Sequence, residues 1–155
     1  MSKMPSNVAE FLSGKRYAVT GVSRTPTHFA NAIYKRLLGS GFEVLPVNPN
    51  ATEVEGVRCW PDLVSIPGTI DGVVIASPPR TALALVRQCA GKGIRRVWFH
   101  RSFGEGSVSE EAIKACKASG IQCLVGGCPL MYCAPVDAGH RCIRGMLRLF
   151  GRVPG

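Results

Sequence analysis

Gly21-Val22-Ser23-Arg24-Thr25-Pro26 gathers the residue types that hold an anion. Gly21 permits a tight turn, Ser23 and Thr25 carry hydroxyl donors, and Arg24 carries a guanidinium that can pair with an anionic oxygen. A β-branched run precedes the segment and a helical pattern follows it. The turn therefore leads into a helix N-terminus, whose free amides and positive dipole end favour phosphate. The dinucleotide fingerprint G-x-G-x-x-G is not met, because Ser23 and Pro26 occupy its second and third glycine places. Asn48-Pro49 stands where an acid would hold the ribose of NAD.

Three further segments carry candidate chemistry: Ser77-Pro78-Pro79-Arg80, His100-Arg101-Ser102 and Gly126-Gly127-Cys128-Pro129. His100 lacks an evident nucleophile or acid to complete a catalytic set, which leaves ligand contact or a structural hydrogen bond open. Cys128 follows a glycine pair and could form a mixed disulfide if its pKa were lowered, but a buried thiol before a rigid proline is the simpler expectation. The seven cysteines (59, 89, 116, 123, 128, 133 and 142) are odd in number, and no pair has C-x-x-C spacing. Reduced thiols in the core, with no metal site, are expected.

The elements that must position these residues alternate in type. Strands are expected at Arg16–Thr20, Glu43–Val47, Asp71–Ala76, Arg95–Phe99 and Ile121–Val125. Helical patterns occupy Phe29–Gly39, Thr81–Ala90 and Ser107–Ala118. In the first, Ala30, Ile33, Tyr34, Leu37 and Leu38 form one apolar stripe. Ser107 with Glu110 fits a capping box. Residues 49–69 read as an irregular crossover with Cys59, Trp60 and Leu63 packing inward. Such alternation predicts an α/β fold: a doubly wound, Rossmann-like parallel sheet in a single domain. In open parallel sheets ligands bind beyond the carboxyl ends of the strands, which is where the candidate segments fall.

The chain has 155 residues, 46% of them hydrophobic and 19% charged, enough for one core and outside the disordered regime. The longest apolar runs are strand-sized, and residues 1–15 show no export signal, so a cytoplasmic protein is expected. The net charge of +9 favours a polyanionic partner. After a domain spanning residues 1–135, residues 136–155 read as an amphipathic basic helix packed on it. Arg141, Arg144, Arg148 and Arg152 lie along one edge, Ile143, Met146, Leu147 and Phe150 lie opposite, and Asp137 is the expected N-cap. Solvated arginines are the simplest reading. Anionic lipid, a protein partner or a second copy are the sharper ones, and nucleic acid is weaker because stacking aromatics are lacking.

Taken in order, Gly21-Val22-Ser23-Arg24-Thr25-Pro26, Pro46-Val47-Asn48-Pro49, Gly56-Val57-Arg58-Cys59-Trp60, Val97-Trp98-Phe99 and Cys128-Pro129 resemble the stand-alone CoA-binding domain proteins. That family is similar to the CoA-binding domain of the succinyl-CoA synthetase α subunit and of NDP-forming acyl-CoA synthetases. The resemblance covers about Gly14 to Met131. It implies coenzyme A lying across the strand ends, its diphosphate on Gly21, Val22, Ser23, Arg24 and Thr25. The adenosine would be flanked by Val47, Asn48 and Pro49, and Ser77, Pro78 and Pro79 would border the nucleotide; His100, by its place at the end of the fourth expected strand, could point into the same cleft. Many relatives carry a basic residue directly after the Asn-Pro pair. With Asn50 there, a contact to the 3′-phosphate would have to come from Arg24 or Arg80.

The ligase relatives rely on a phosphohistidine domain and an ATP-grasp domain, and a chain of this length holds neither. Binding of CoA or acyl-CoA without catalysis is therefore the expected function. An NAD(P)-dependent oxidoreductase or another dinucleotide binder is the first alternative, and a scaffold that engages a partner through the basic C-terminal helix is the second.

Overall fold

A computed structural model describes residues 3–101, 106–133 and 138–154, with side chains from residue 140 onward in the last segment. Five strands, β1 (Arg16–Thr20), β2 (Glu43–Val47), β5 (Gly72–Ile75), β6 (Arg96–Phe99) and β7 (Gln122–Val125), form one sheet in the order β2-β1-β5-β6-β7. Every pairing is parallel. The expected doubly wound α/β sheet is the fold observed. From β1 the chain passes to β2 on one side, and β5 then adds on the other. The topological switch point therefore lies between β1 and β5, where such sheets bind ligands.

Side chains alternate between two cores, as the pleat requires. Tyr17, Val19, Val74 and Trp98 face one layer with α1 (Ser6–Phe11), α2 (Phe29–Gly39) and Leu147 of α5 (Ala138–Leu149). Ala18, Val73, Ile75, Val97 and Phe99 face the other, with α3 (Pro79–Lys92) and α4 (Glu110–Ala118). Both faces of the sheet are covered, which explains why its strands are apolar throughout.

Several boundaries differ from the sequence expectation. Helix α1 was not anticipated. Phe11 secures it by packing 5.4 Å from both Tyr17 and Trp98, while the Tyr17 hydroxyl donates to Phe11 O (2.6 Å). The crossover read as irregular contains a two-stranded antiparallel hairpin, β3 (Glu53–Val54) with β4 (Val57–Arg58). Helix α3 begins at Pro79 rather than Thr81, because proline at the first helical position has no amide to leave unpaired. The cap of α4 is Ser109, whose Oγ accepts from Ala112 N–H (3.3 Å), and not Ser107. Ser107 is buried, and its N–H donates to His100 O (2.8 Å), tying it to the end of β6 before the helix can start. On α5, Leu147 is buried and Ile143 half-buried, but Met146 is exposed, as is Phe150 just past the helix, contrary to the expected single apolar face. Asp137 and Ser102 to Gly104 lie outside the described residues. Among the described residues no helix is long and apolar enough to cross a membrane.

Candidate functional site

At the switch point the ends of β1 and β5 almost touch. A Cβ on Gly21 would stand 2.7 Å from Ala76 O, and its φ of +86° is one that other residues rarely adopt. Gly21 thus lets the chain leave β1 directly over β5. Thr20 Oγ1 and Ser77 Oγ are 2.9 Å apart, and Ser77 Oγ and Thr81 Oγ1 are 2.8 Å apart. The Thr81 hydroxyl also lies 2.7 Å from Pro78 O. This hydroxyl chain stitches β1, β5 and the start of α3 together, so Ser77 acts within the protein and only the edge of its environment faces outward.

The loop after β1 is held from below by Asn31, a residue the sequence reading passed over. Asn31 is fully buried in the first turns of α2. Ser23 N–H donates to its Oδ1 (2.8 Å), and its Nδ2 donates to Ser23 O (2.7 Å) and to Glu55 Oε1 (2.8 Å). Glu55 sits at the hairpin tip with a φ of +51° and also lies 3.3 Å from Lys35 Nζ. The Asn31 bond and the Lys35 ammonium hold its carboxyl below the ordinary range. The only sequence signal for this brace was a polar residue interrupting the α2 pattern.

Internal bonds take some of the loop's amides: Ser23 N–H goes to Asn31, Thr25 N–H to Ser23 Oγ (3.0 Å) and His28 N–H to Thr25 O (3.1 Å). The N–H groups of Val22, Arg24, Thr27 and Phe29 have no acceptor among the described residues. Arg24 and Thr25 are exposed beside them, whereas the Val22 side chain is in the core. Val22 can therefore offer a ligand only its backbone. Free amides, an arginine and the start of an 11-residue helix form a donor set suited to a diphosphate.

The turn after β2 is organised by Asn48. Its Nδ2 donates to Val22 O (3.0 Å), its Oδ1 accepts from Asn50 N–H (2.9 Å), and its N–H donates to Trp60 O (2.9 Å). Asn48 therefore joins the two loops, and its side chain is engaged inside the protein. Val47 is buried in the core beneath it, while Pro49 and Asn50 are exposed. Of this trio, Pro49 presents the outward surface. The Arg58 guanidinium lies 3.9 Å from the centre of the Trp60 ring.

Beyond β5 in the sheet, His100 follows β6 and is stacked on Phe29, with ring centres 4.8 Å apart and planes at 17°. Phe29 in turn lies 4.3 Å from His28, whose Nδ1 caps α2 by accepting from Ala30 N–H (3.3 Å). His100 Nδ1 is buried without a partner among the described residues. Burial, assisted by nearby His28, lowers the imidazole pKa to about 4, so the ring is neutral at pH 7. Pro78 and Arg80 are exposed at the start of α3 and complete the rim.

These loops match a known pattern over most of the chain. The family model for the CoA binding domain matches residues 15–134. The chain belongs to the CoA-binding domain family. It is 36% identical over 83 residues to acetate–CoA ligase (ADP-forming) II of Archaeoglobus fulgidus, covering 52% of this chain but only 12% of that ligase. It is 29% identical over 106 residues to the uncharacterized protein YneT of Bacillus subtilis, covering 68% of this chain and 76% of that protein. A conserved hypothetical protein from Pyrococcus furiosus shares the fold with a TM-score of 0.64 at 33% identity, over 71% of this chain and 91% of its own.

Within this CoA-binding domain the turn after β7 is a poorer ligand surface than its sequence suggests. Gly126 and Gly127 are packed against the chain's own tail. A Cβ on Gly126 would overlap Arg152 O, and one on Gly127 would stand 3.2 Å from Pro154 Cδ. Cys128 is buried, and burial pushes its thiol up to about 12. It is a neutral core group rather than a thiolate nucleophile. All seven cysteines are free; Cys59, Cys89, Cys116 and Cys133 are also buried, Cys123 is half-buried and Cys142 exposed.

Proposed function

We propose that this CoA-binding domain binds coenzyme A or an acyl-CoA across the ends of β1 and β5, and that it performs no turnover of its own. The free N–H groups from Val22 to Phe29 and the Arg24 side chain would hold the diphosphate. Pro49 offers the adenine a flat apolar surface, and Arg24 or Arg80 would meet the 3′-phosphate. His100, held neutral, would offer a hydrogen bond rather than a charge. The observation that carries this reading is the donor-rich loop, braced by Asn31 and Asn48, at the switch point of a domain whose family is defined by CoA binding. The engagement of Asn48 with Val22 and Asn50 weighs against a ribose-anchoring role at the position that NAD-binding proteins fill with an acid.

Calorimetry with CoA, acetyl-CoA and NADP tests the assignment. Saturable binding of CoA with NADP at least about tenfold weaker is expected, a difference of about 1.4 kcal/mol. Tighter binding of NADP, or retention of a nicotinamide nucleotide in native mass spectra of the purified protein, would overturn it. Assaying the saturated protein for acyl transfer or thioester hydrolysis tests the absence of turnover, with no product above the rate in buffer expected.

A further inference from the structure

The ends of β6 and β7 are covered by the last part of the chain. Arg101 N–H donates to Gly127 O (3.0 Å), joining the backbone after β6 to the turn after β7. The segment Arg152 to Pro154 lies directly on Gly126 and Gly127. Beside the strand ends, this tail and α5 is an open depression of about 650 Å³ lined by Arg101, Met146, Leu147, Phe150 and Arg152. That volume is within the range of small-molecule sites.

The wall is apolar and cationic at once. Leu147, 2% exposed, belongs to the core, whereas Met146 and Phe150 are 43% and 70% exposed. Ile143 and Leu147 already pack α5 against the core, so docking of the helix does not account for Met146 and Phe150. Arg101 Nε is buried and has no acceptor among the described residues. From Ala138 to the end the sequence holds Arg141, Arg144, Arg148 and Arg152 and no Asp or Glu. A buried cationic N–H lacking its acceptor, in a wall that Arg152 shares, is matched by a carboxylate oxygen. The methionine and phenylalanine beside it match an aliphatic or aromatic body.

We propose that this depression binds a small carboxylic acid with an apolar body, Arg101 pairing with the carboxylate while Met146 and Phe150 pack on the remainder. Its lining shares no residue with the loops after β1, β2 and β5, and the proposal does not depend on the CoA reading. Four of its five lining residues follow residue 134, where the family match ends.

Heteronuclear NMR titration of the whole chain with hexanoate, and with uncharged hexanamide of the same length, tests the proposal. Hexanoate is expected to shift the Arg101 Nε–H and the amides of residues 146–150 saturably. Hexanamide should bind about tenfold more weakly or worse, the scale of one charge-assisted hydrogen bond. Arg101→Gln should weaken hexanoate by the same factor and hexanamide by clearly less. Because residue 101 also pairs with the β7 turn, Phe150→Ala provides a second variant, expected to weaken both probes while the rest of the spectrum stays in place. Equal affinity for the two probes, shifts confined to other surfaces, or no saturable shift would overturn the proposal. So would pelleting with phosphatidylcholine–phosphatidylglycerol vesicles that Leu149→Asp abolishes, since that would give the patch to a bilayer.

Discussion

Replacing Asn31 with alanine removes the brace under the loop that follows β1. Both main-chain groups of Ser23 lose their partner, at 2.8 Å for the N–H and 2.7 Å for the carbonyl. Each net hydrogen bond contributes about 1 kcal/mol, and a part-buried N–H left without an acceptor adds to the loss. The expected destabilisation is therefore about 2–3 kcal/mol. The bond to Glu55 is left out of this sum because Lys35 remains to pair with that carboxylate. For a domain of this size the loss corresponds to a fall in Tm of about 4–12 °C. Urea unfolding should show a lower midpoint with an unchanged slope, because the surface exposed on unfolding is the same. Asn31→Asp is the sharper comparison. Ionised, it can still accept from Ser23 N–H but cannot donate to Ser23 O or to Glu55, and it sets a second negative charge beside that carboxylate. It should be at least as destabilised as Asn31→Ala at pH 7 and should recover part of the loss as pH falls towards 4, which the alanine variant should not. An Asn31→Ala midpoint within about 0.5 kcal/mol of the parent, or an Asn31→Asp protein as stable as the parent, would refute the brace.

Gly21→Ala should fail more completely, because its Cβ would meet the β5 backbone at 2.7 Å and its φ of +86° is strained for alanine. A loss of about 2 kcal/mol or more and no detectable CoA binding by calorimetry are expected. His100 has a folded-state pKa near 4, below the ordinary value of about 6.5. The unfolded chain therefore binds the extra proton first, so this group's contribution to stability is complete above about pH 6.5 and is lost as pH falls towards 4. Urea midpoints across that window should slope less steeply in His100→Gln, and NMR should show no titration of the His100 ring between pH 5 and 8. Cys128, its thiol pushed up to about 12, should remain unmodified when the folded protein is oxidised with diamide in the presence of CoA. Peptide mass mapping that found CoA on Cys128 would contradict its burial.

Much of the fold was legible because periodicity reports burial directly. The runs RYAVT, EVLPV and RVWF are apolar on both faces, which in a chain that alternates them with helical stripes means a parallel sheet covered on both sides. The loops at the strand ends were legible for the same reason, since the ligand edge of such a sheet follows from its topology. Other features were not. Helix α1 is short and lacks its own capping side chain, and its place depends on Phe11 meeting Tyr17 and Trp98. The cap of α4 is Ser109 rather than Ser107 because a hydrogen bond to His100 O holds the earlier serine. On α5 the pattern suggests one apolar face, but of its expected members Ile143 and Leu147 pack against the core while Met146 is exposed.

The amino-acid order by itself determined the sheet, the position of its ligand edge and the residue types gathered there, since these depend on local hydrophobic period and turn chemistry. Tertiary structure alone decided which of those residues remain available. Asn48 and Ser77 have their polar groups engaged by loops and strands distant in the chain, Val22 and Val47 point into the core, and Gly126 and Gly127 lie beneath the tail. Asn31 shows the converse, a helix residue of no obvious chemistry that becomes the support of the loop once Ser23 and Glu55 are brought to it. The physical reason is that a side chain's hydrogen-bonding capacity belongs to its type, whereas the partner that uses it is chosen by contacts between segments that no local pattern encodes.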